Sequence, residues 1–150
     1  MENDKAKIMQ IKEFSFCVCL ILDFFNKQNN NGDSLQSIDN LRKTLEKRFN
    51  MKVVMNFNLN NFKEIVDEIN RVIEVEKWND SFMLYINSPA KSNGFITSEC
   101  HVVEYHKIYS YISTHSELAN KLKLIFFNCV GPGNMIVKTC SKLKIYFQIF

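Results

Sequence analysis

Apolar residues fall along this chain in two rhythms. Phe14-Ser15-Phe16-Cys17-Val18-Cys19-Leu20-Ile21-Leu22 is a continuous apolar run, which suits a central strand buried on both faces of a parallel sheet. After the polar tract Asn26 to Gly32, the residues Leu35, Ile38, Leu41, Leu45 and Phe49 share one helical face, with Asp33 or Ser34 as the N-cap. Met51 to Phe57 reads as a second strand. Asn61 and Glu64 form a capping box, and Phe62, Ile65, Val66, Ile69, Val72 and Ile73 make the stripe of a second helix. Trp78-Asn79-Asp80 turns into a third strand, Ser81 to Asn87, followed by a loop from Pro89 to Gly94 and a short extended piece at Phe95 and Ile96. Tyr105, Ile108, Tyr109 and Ile112 predict a third helix, a fourth strand starts at Leu122, and the tail carries another strand over Leu143 to Phe147.

Strands alternating with helices imply parallel strands joined by right-handed crossovers. The expected fold is a three-layer α/β/α sandwich around a mostly parallel sheet. It forms one domain over residues 1–150, with a loose arm at 1–12 and a C-terminal extension at 134–150.

Composition narrows the classes. A hydrophobic fraction of 46%, with 13 Phe among 150 residues, is that of a packed chain large enough to need no staple. The net charge of +3 is dispersed, and no stripe of Lys and Arg with interleaved aromatics points to nucleic acid. Cys17, Cys19, Cys100, Cys129 and Cys140 fit no zinc spacing, and their odd number suits reduced thiols in a cytoplasmic protein. The run Phe14 to Phe25 is interrupted by Asp23 and too short to span a bilayer. No metal, cofactor or membrane partner is expected. Abundant Asn, Lys, Ile and Phe suit an AT-rich coding genome, such as that of an invertebrate, a protist or a large DNA virus.

The most informative stretch is Lys121-Leu122-Lys123-Leu124-Ile125-Phe126-Phe127-Asn128-Cys129-Val130-Gly131-Pro132-Gly133, an apolar strand ending in a cysteine and an abrupt turn. Open α/β sheets place their chemistry at such strand ends. The stretch resembles the end of the caspase large subunit, where an apolar strand leads into Gln-Ala-Cys-Arg-Gly. Asp39-Asn40-Leu41, Asn58-Leu59 with Asn61-Phe62-Lys63-Glu64-Ile65, Ser81 through Ser88, and Glu117 through Leu124 resemble further motifs of that subunit, in the same order.

The resemblance implies a caspase-like large-subunit topology and also where its chemistry departs. The family's Ser-His-Gly falls on Ser88-Pro89-Ala90, leaving no histidine and no glycine. The nucleophile position is Val130 without a gap and Cys129 with a one-residue deletion; Cys129 otherwise reads as a structural core cysteine. An arginine of the acidic-substrate pocket corresponds to Asn31, and its supporting Gln to Asn128 or Phe127. The resemblance thus implies an inactive homologue that regulates apoptosis by protein contacts, and it suits a protein carried by a large insect DNA virus such as an ascovirus. The expected role is an inhibitor or decoy of a cellular caspase or its adaptor. The alternatives are a protease using Cys129 and a pro-apoptotic activator. The edge of the fourth strand, Leu124, Ile125, Phe126 and Phe127, and the tail residues Ile145, Phe147 and Ile149 are the candidate interaction residues. Either the tail folds back over that edge, or the edge pairs with a caspase subunit or with a second copy in a homodimer.

Overall fold

The computed structural model describes residues 17–25, 32–130 and 144–148. In chain order the elements are β1 (Cys17–Asp23), α1 (Gly32–Phe49), β2 (Lys52–Asn56), α2 (Phe62–Val75), β3 (Ser81–Lys91), β4 (Gly94–Ile96), β5 (Val102–Glu104), α3 (Tyr105–Ser113), β6 (Leu122–Val130) and β7 (Lys144–Gln148), with a 3-10 turn at Ser116–Leu118 before β6. β1 is buried along its whole length, as a strand with β2 and β3 on its two sides should be. The sheet runs β2-β1-β3-β6-β7, parallel through β6, with β7 antiparallel at the end.

Alternation along the strands divides the core into two layers. Val18, Leu20 and Leu22 of β1, Phe82, Leu84 and Ile86 of β3, and Ile125 and Phe127 of β6 face α2 and α3. They meet Ile65, Ile69, Val72, Ile73, Ile108 and Ile112 there. Cys17, Cys19, Ile21 and Met83 face the other way and pack on Ile38 and Leu45 of α1. The result is the expected three-layer α/β/α sandwich. Because α1 is the single described helix on its side, Leu124 and Phe126 of β6 stay half-buried, while Lys123, Ile125, Phe127 and Cys129 are buried.

Lys123 is an ammonium on the buried face. Its Nζ donates to the carbonyls of Leu118 at 2.6 Å and Lys121 at 3.2 Å, so the turn before β6 supplies its acceptors. Burial also holds its pKa below the usual lysine value.

Several sequence expectations need correction. The segment Pro89 to Lys91 is strand rather than loop; β3 continues through it and turns back at Ser92-Asn93 into β4. Ser92 adopts φ 52°, in the left-handed region, to make that turn. Gly94 is needed in β4 because a Cβ there would lie 2.4 Å from the Val103 carbonyl oxygen. Helix α1 already includes Gly32, so Asp33 and Ser34 lie inside it, and Phe49 at its end is 61% exposed rather than in the core. In the capping box of α2, Asn61 Oδ1 accepts from Glu64 N–H at 3.0 Å, but the Glu64 carboxylate reaches Asn60 N–H at 2.7 Å. The edge of β6 is not free either. β7 pairs along it from Lys123 opposite Gln148 to Phe127 opposite Lys144, so the tail folds back as the first of the two alternatives anticipates. Ile149, Cys140 and Asn31 lie outside the described residues.

Phe127 is fully buried, with its ring centroid 4.7 Å from Tyr105 and 6.2 Å from Phe95. Phe127→Ala should lower unfolding free energy by about 3–5 kcal/mol, whereas Phe49→Ala should change it by less than about 0.5 kcal/mol. Urea midpoints of the two variants check this, and equal midpoints would contradict the assignment of faces.

Candidate functional site

The carboxyl ends of β1, β3 and β6 lie side by side, and each apolar run finishes in an Asp or Asn at the same level. Register sets Asp23 opposite Asn87 and Asn87 opposite Asn128. The chain leaves β1 toward β2 on one side and finds β3 on the other, so this row sits at the reversal of strand order where open α/β sheets form their crevices.

The row is joined by directional hydrogen bonds. Asn128 Nδ2 donates to Asn87 Oδ1 at 2.8 Å, and Asn87 Nδ2 donates to Asp23 Oδ1 at 3.1 Å. Phe25 N–H donates to the same Asp23 oxygen at 3.1 Å, and the Tyr85 side chain bonds Asn128 from two residues back on β3. Asp23 is 1% exposed, and its Oδ2 has no hydrogen-bond partner among the described residues. Burial therefore raises its carboxyl above the usual range, opposed by the bonds from Phe25 and Asn87. The arrangement is a polar wire ending on a carboxyl whose burial disfavours its charge.

One strand position further on lie the residues singled out by the motif. Ser88 is opposite Cys129 and Pro89 is opposite Val130. Cys129 turns its thiol into the α2–α3 face, where burial pushes its pKa up to about 11 despite a hydrogen bond with Tyr105. Val130 is outward and 46% exposed. The Ser88 hydroxyl is committed to the hairpin: it donates to the Ile96 carbonyl at 2.7 Å and accepts from Ile96 N–H at 3.2 Å. Ala90 pairs with Phe95 in the same hairpin. The histidines have other neighbours. His101 lies 4.0 Å from Glu99, His106 3.1 Å from Glu104, and His115 Nε2 is 3.1 Å from Asn70 Oδ1.

Structure thus brings Pro89, Val130, Cys129 and Asn128 to one end of the sheet, with Asn128 engaged in the polar wire. Sequence reasoning missed Asp23, Asn87 and Tyr85. The available signal was the polar residue closing each of three apolar runs, Leu22-Asp23, Ile86-Asn87 and Phe127-Asn128. Among the described residues no group of three or more His, Cys, Asp and Glu side chains is placed to hold a metal, and no helix is long and apolar enough to cross a membrane.

No family model and no curated protein matches the chain. Among solved structures the chain is similar to the crystal structure of the Drosophila initiator caspase Dronc, with a TM-score of 0.64 at 15% sequence identity, over 86% of this chain and 56% of that one. The chain therefore has a caspase-like fold and spans 56% of the length of that structure.

Two measurements follow from the strand ends. A raised carboxyl stabilises the fold below its unfolded pKa of about 3.9, and that contribution is lost as pH rises through the folded value. Asp23→Asn should therefore be more stable than the parent at neutral pH and lose that advantage in acid, by thermal melts across pH. An advantage equal at both ends would rule out ionisation as its source. For Cys129, a pKa of about 11 leaves a thiolate fraction of about 10⁻⁴ at pH 7. Iodoacetamide followed by peptide mapping should label the exposed Cys100 and leave Cys129 unmodified in the native state. Fast labelling of Cys129 would mean an activated thiol.

Proposed function

We propose that this chain is a non-catalytic regulator built on a caspase-like scaffold, which acts on apoptosis by pairing with a cellular caspase or caspase adaptor as an inhibitor or decoy. The observation that supports it most is the pairing of Pro89 with Val130. A nucleophile and its base must lie on the same face within hydrogen-bond reach. With the nucleophile position at Val130, as the alignment without a gap gives it, the positions that resemble the family's histidine and cysteine are neighbours, and both carry side chains that cannot move a proton.

Other features lean the same way. Loss of a general acid/base costs about 10²–10⁴ in rate before nucleophile activation is counted. Cys129, the nucleophile position if one residue of the strand is deleted, faces the opposite layer from Pro89 and is a buried thiol with a raised pKa. Asn31 stands where the resemblance expects an arginine, and Asn128 or Phe127 where it expects the supporting Gln, so that position offers no guanidinium to fork onto an acidic substrate. The abundance of Asn, Lys, Ile and Phe suits an invertebrate, a protist or a large DNA virus as source, and for a virus interference with a host death protease is a coherent role.

Protein contact fits the sheet's free side. Among the described residues β6 is enclosed by β3 and β7, so on that side of the sheet the outer strand is β7, with Ile145 and Phe147 on it. An outer strand presents unpaired backbone groups on its far side, the requirement for strand addition by a caspase subunit or a second copy.

The test is hydrolysis of a fluorogenic Asp-ended peptide by the protein alone, by an activated caspase alone, and by both together. The expected result is no turnover alone and reduced turnover in the mixture. Turnover by the protein alone, abolished by Cys129→Ala, would restore the protease reading. Increased turnover in the mixture would reverse the sign of regulation to activation. An unchanged mixture, with no caspase or adaptor retained from cell lysate, would sink the proposal.

A further inference from the structure

The opposite end of the sheet, where the strands begin, is not used by the reading above. Its most conspicuous residue is Trp78, the sole tryptophan, which is 85% exposed in the turn between α2 and β3. Phe49 and Val75, each 61% exposed, end the helices α1 and α2 at the same pole. Solitary exposed apolar residues need no account, but three gathered at one pole do.

Beside Trp78 lies a cleft of about 480 Å³. One wall is Asn50, Met51 and Lys52, the other Glu76, Trp78 and Asn79, and an ion pair between Lys52 and Glu76 ties the walls together. Asn79 Nδ2 donates to the Glu76 carbonyl at 2.9 Å and its carboxylate at 3.2 Å, which fixes the indole's turn. That volume lies within the range of about 300–1,000 Å³ found for ligand clefts, and an aromatic wall with a few fixed polar groups is their usual composition.

The charges decide what fits. Glu76 is matched by Lys52, and Glu74 lies 3.7 Å from Lys77, whose Nζ also sits 5.7 Å from the Trp78 ring centroid. Lys47 and Arg48, in the last turn of α1, have no ion pair among the described residues. The pole therefore holds surplus cations, Lys47 and Arg48, shortly before Asn50 in the chain, and Asn50 lines a cleft whose apolar surface includes Met51 and Trp78. A lipid surface is flat and anionic; it suits neither the concavity nor the Glu76 carboxylate in the lining.

We propose that this cleft captures an acidic peptide segment of a partner protein: a large apolar side chain packs against Trp78 and Met51, while flanking carboxylates meet Lys47 and Arg48. The surface is independent of the strand ends and of β7, so it stands whether or not the regulator reading does. Trp supplies a large, rigid contact at low conformational cost, and the Lys77 ammonium near its ring adds positive charge at the anchor.

The single tryptophan makes the test direct. Random peptides displayed on phage would be selected against the full chain, with Trp78→Ala and the double variant Lys47→Glu, Arg48→Glu as counter-selections. All three positions are exposed, so both variants should fold. Selected peptides should pair an apolar residue with Asp or Glu, shift the indole emission to the blue, weaken with salt, and lose at least about tenfold in affinity on either variant. No enrichment, or enrichment unaffected by Trp78→Ala, overturns the proposal. An emission shift with phosphatidylserine vesicles instead of peptides would make the pole a lipid contact. A shift with protein concentration alone would make it a contact between copies.

Discussion

The parallel register between β3 and β6 is the constraint on which most of the structure rests. It runs from Ser81 opposite Leu122 to Pro89 opposite Val130, and each side chain's layer depends on it. A slip of one residue would carry Phe127 out of the α2–α3 core and Asn128 away from Asn87. The slip would also break the wire that ends on Asp23. Lys123 guards the start of this register, because its ammonium finds the Leu118 and Lys121 carbonyls only when β6 begins where it does. The arrangement costs desolvation of a charge, and the hydrogen bonds offset it only in this one alignment.

Most of the fold was legible in the sequence, because burial on both faces and helical spacing leave different marks. The continuous run around Cys17 to Leu22 could only be an interior strand, and the stripe from Ile65 to Ile73 only a helix packed on a sheet. What was not legible depends on partners distant in the chain. Pro89 reads as a breaker, yet it continues β3 because β6 and then β4 hold the backbone on either side. Phe49 belongs to the α1 stripe by spacing but lies beyond the sheet that the stripe covers.

The candidate site was legible only in part for the same reason. A motif match leaves Cys129 and Val130 equally eligible, since a one-residue gap is invisible to spacing. Pairing across the sheet separates them: one faces the core beside Tyr105, the other points outward beside Pro89. Asp23, Asn87 and Asn128 stand more than sixty and forty positions apart in the chain and meet only through the sheet. Each looks like an ordinary polar stop on its own. Together they show that the strand ends keep a polar centre in which Asn128 is a position the family resemblance names and Asp23 and Asn87 are not.

The uneven covering of the sheet has a consequence for how this sequence can change over time. On β6 the odd-numbered positions from Lys123 to Cys129 are enclosed, while Leu122, Leu124, Phe126 and Asn128 are only half so. A substitution at Phe126 leaves room for water and neighbours to adjust, whereas one at Phe127 leaves a hole in a dense core. Drift along this strand should therefore accumulate at every second residue. In related chains the layer facing α2 and α3 would keep the common ancestry readable longest, and the layer facing α1 would carry whatever each lineage has added since.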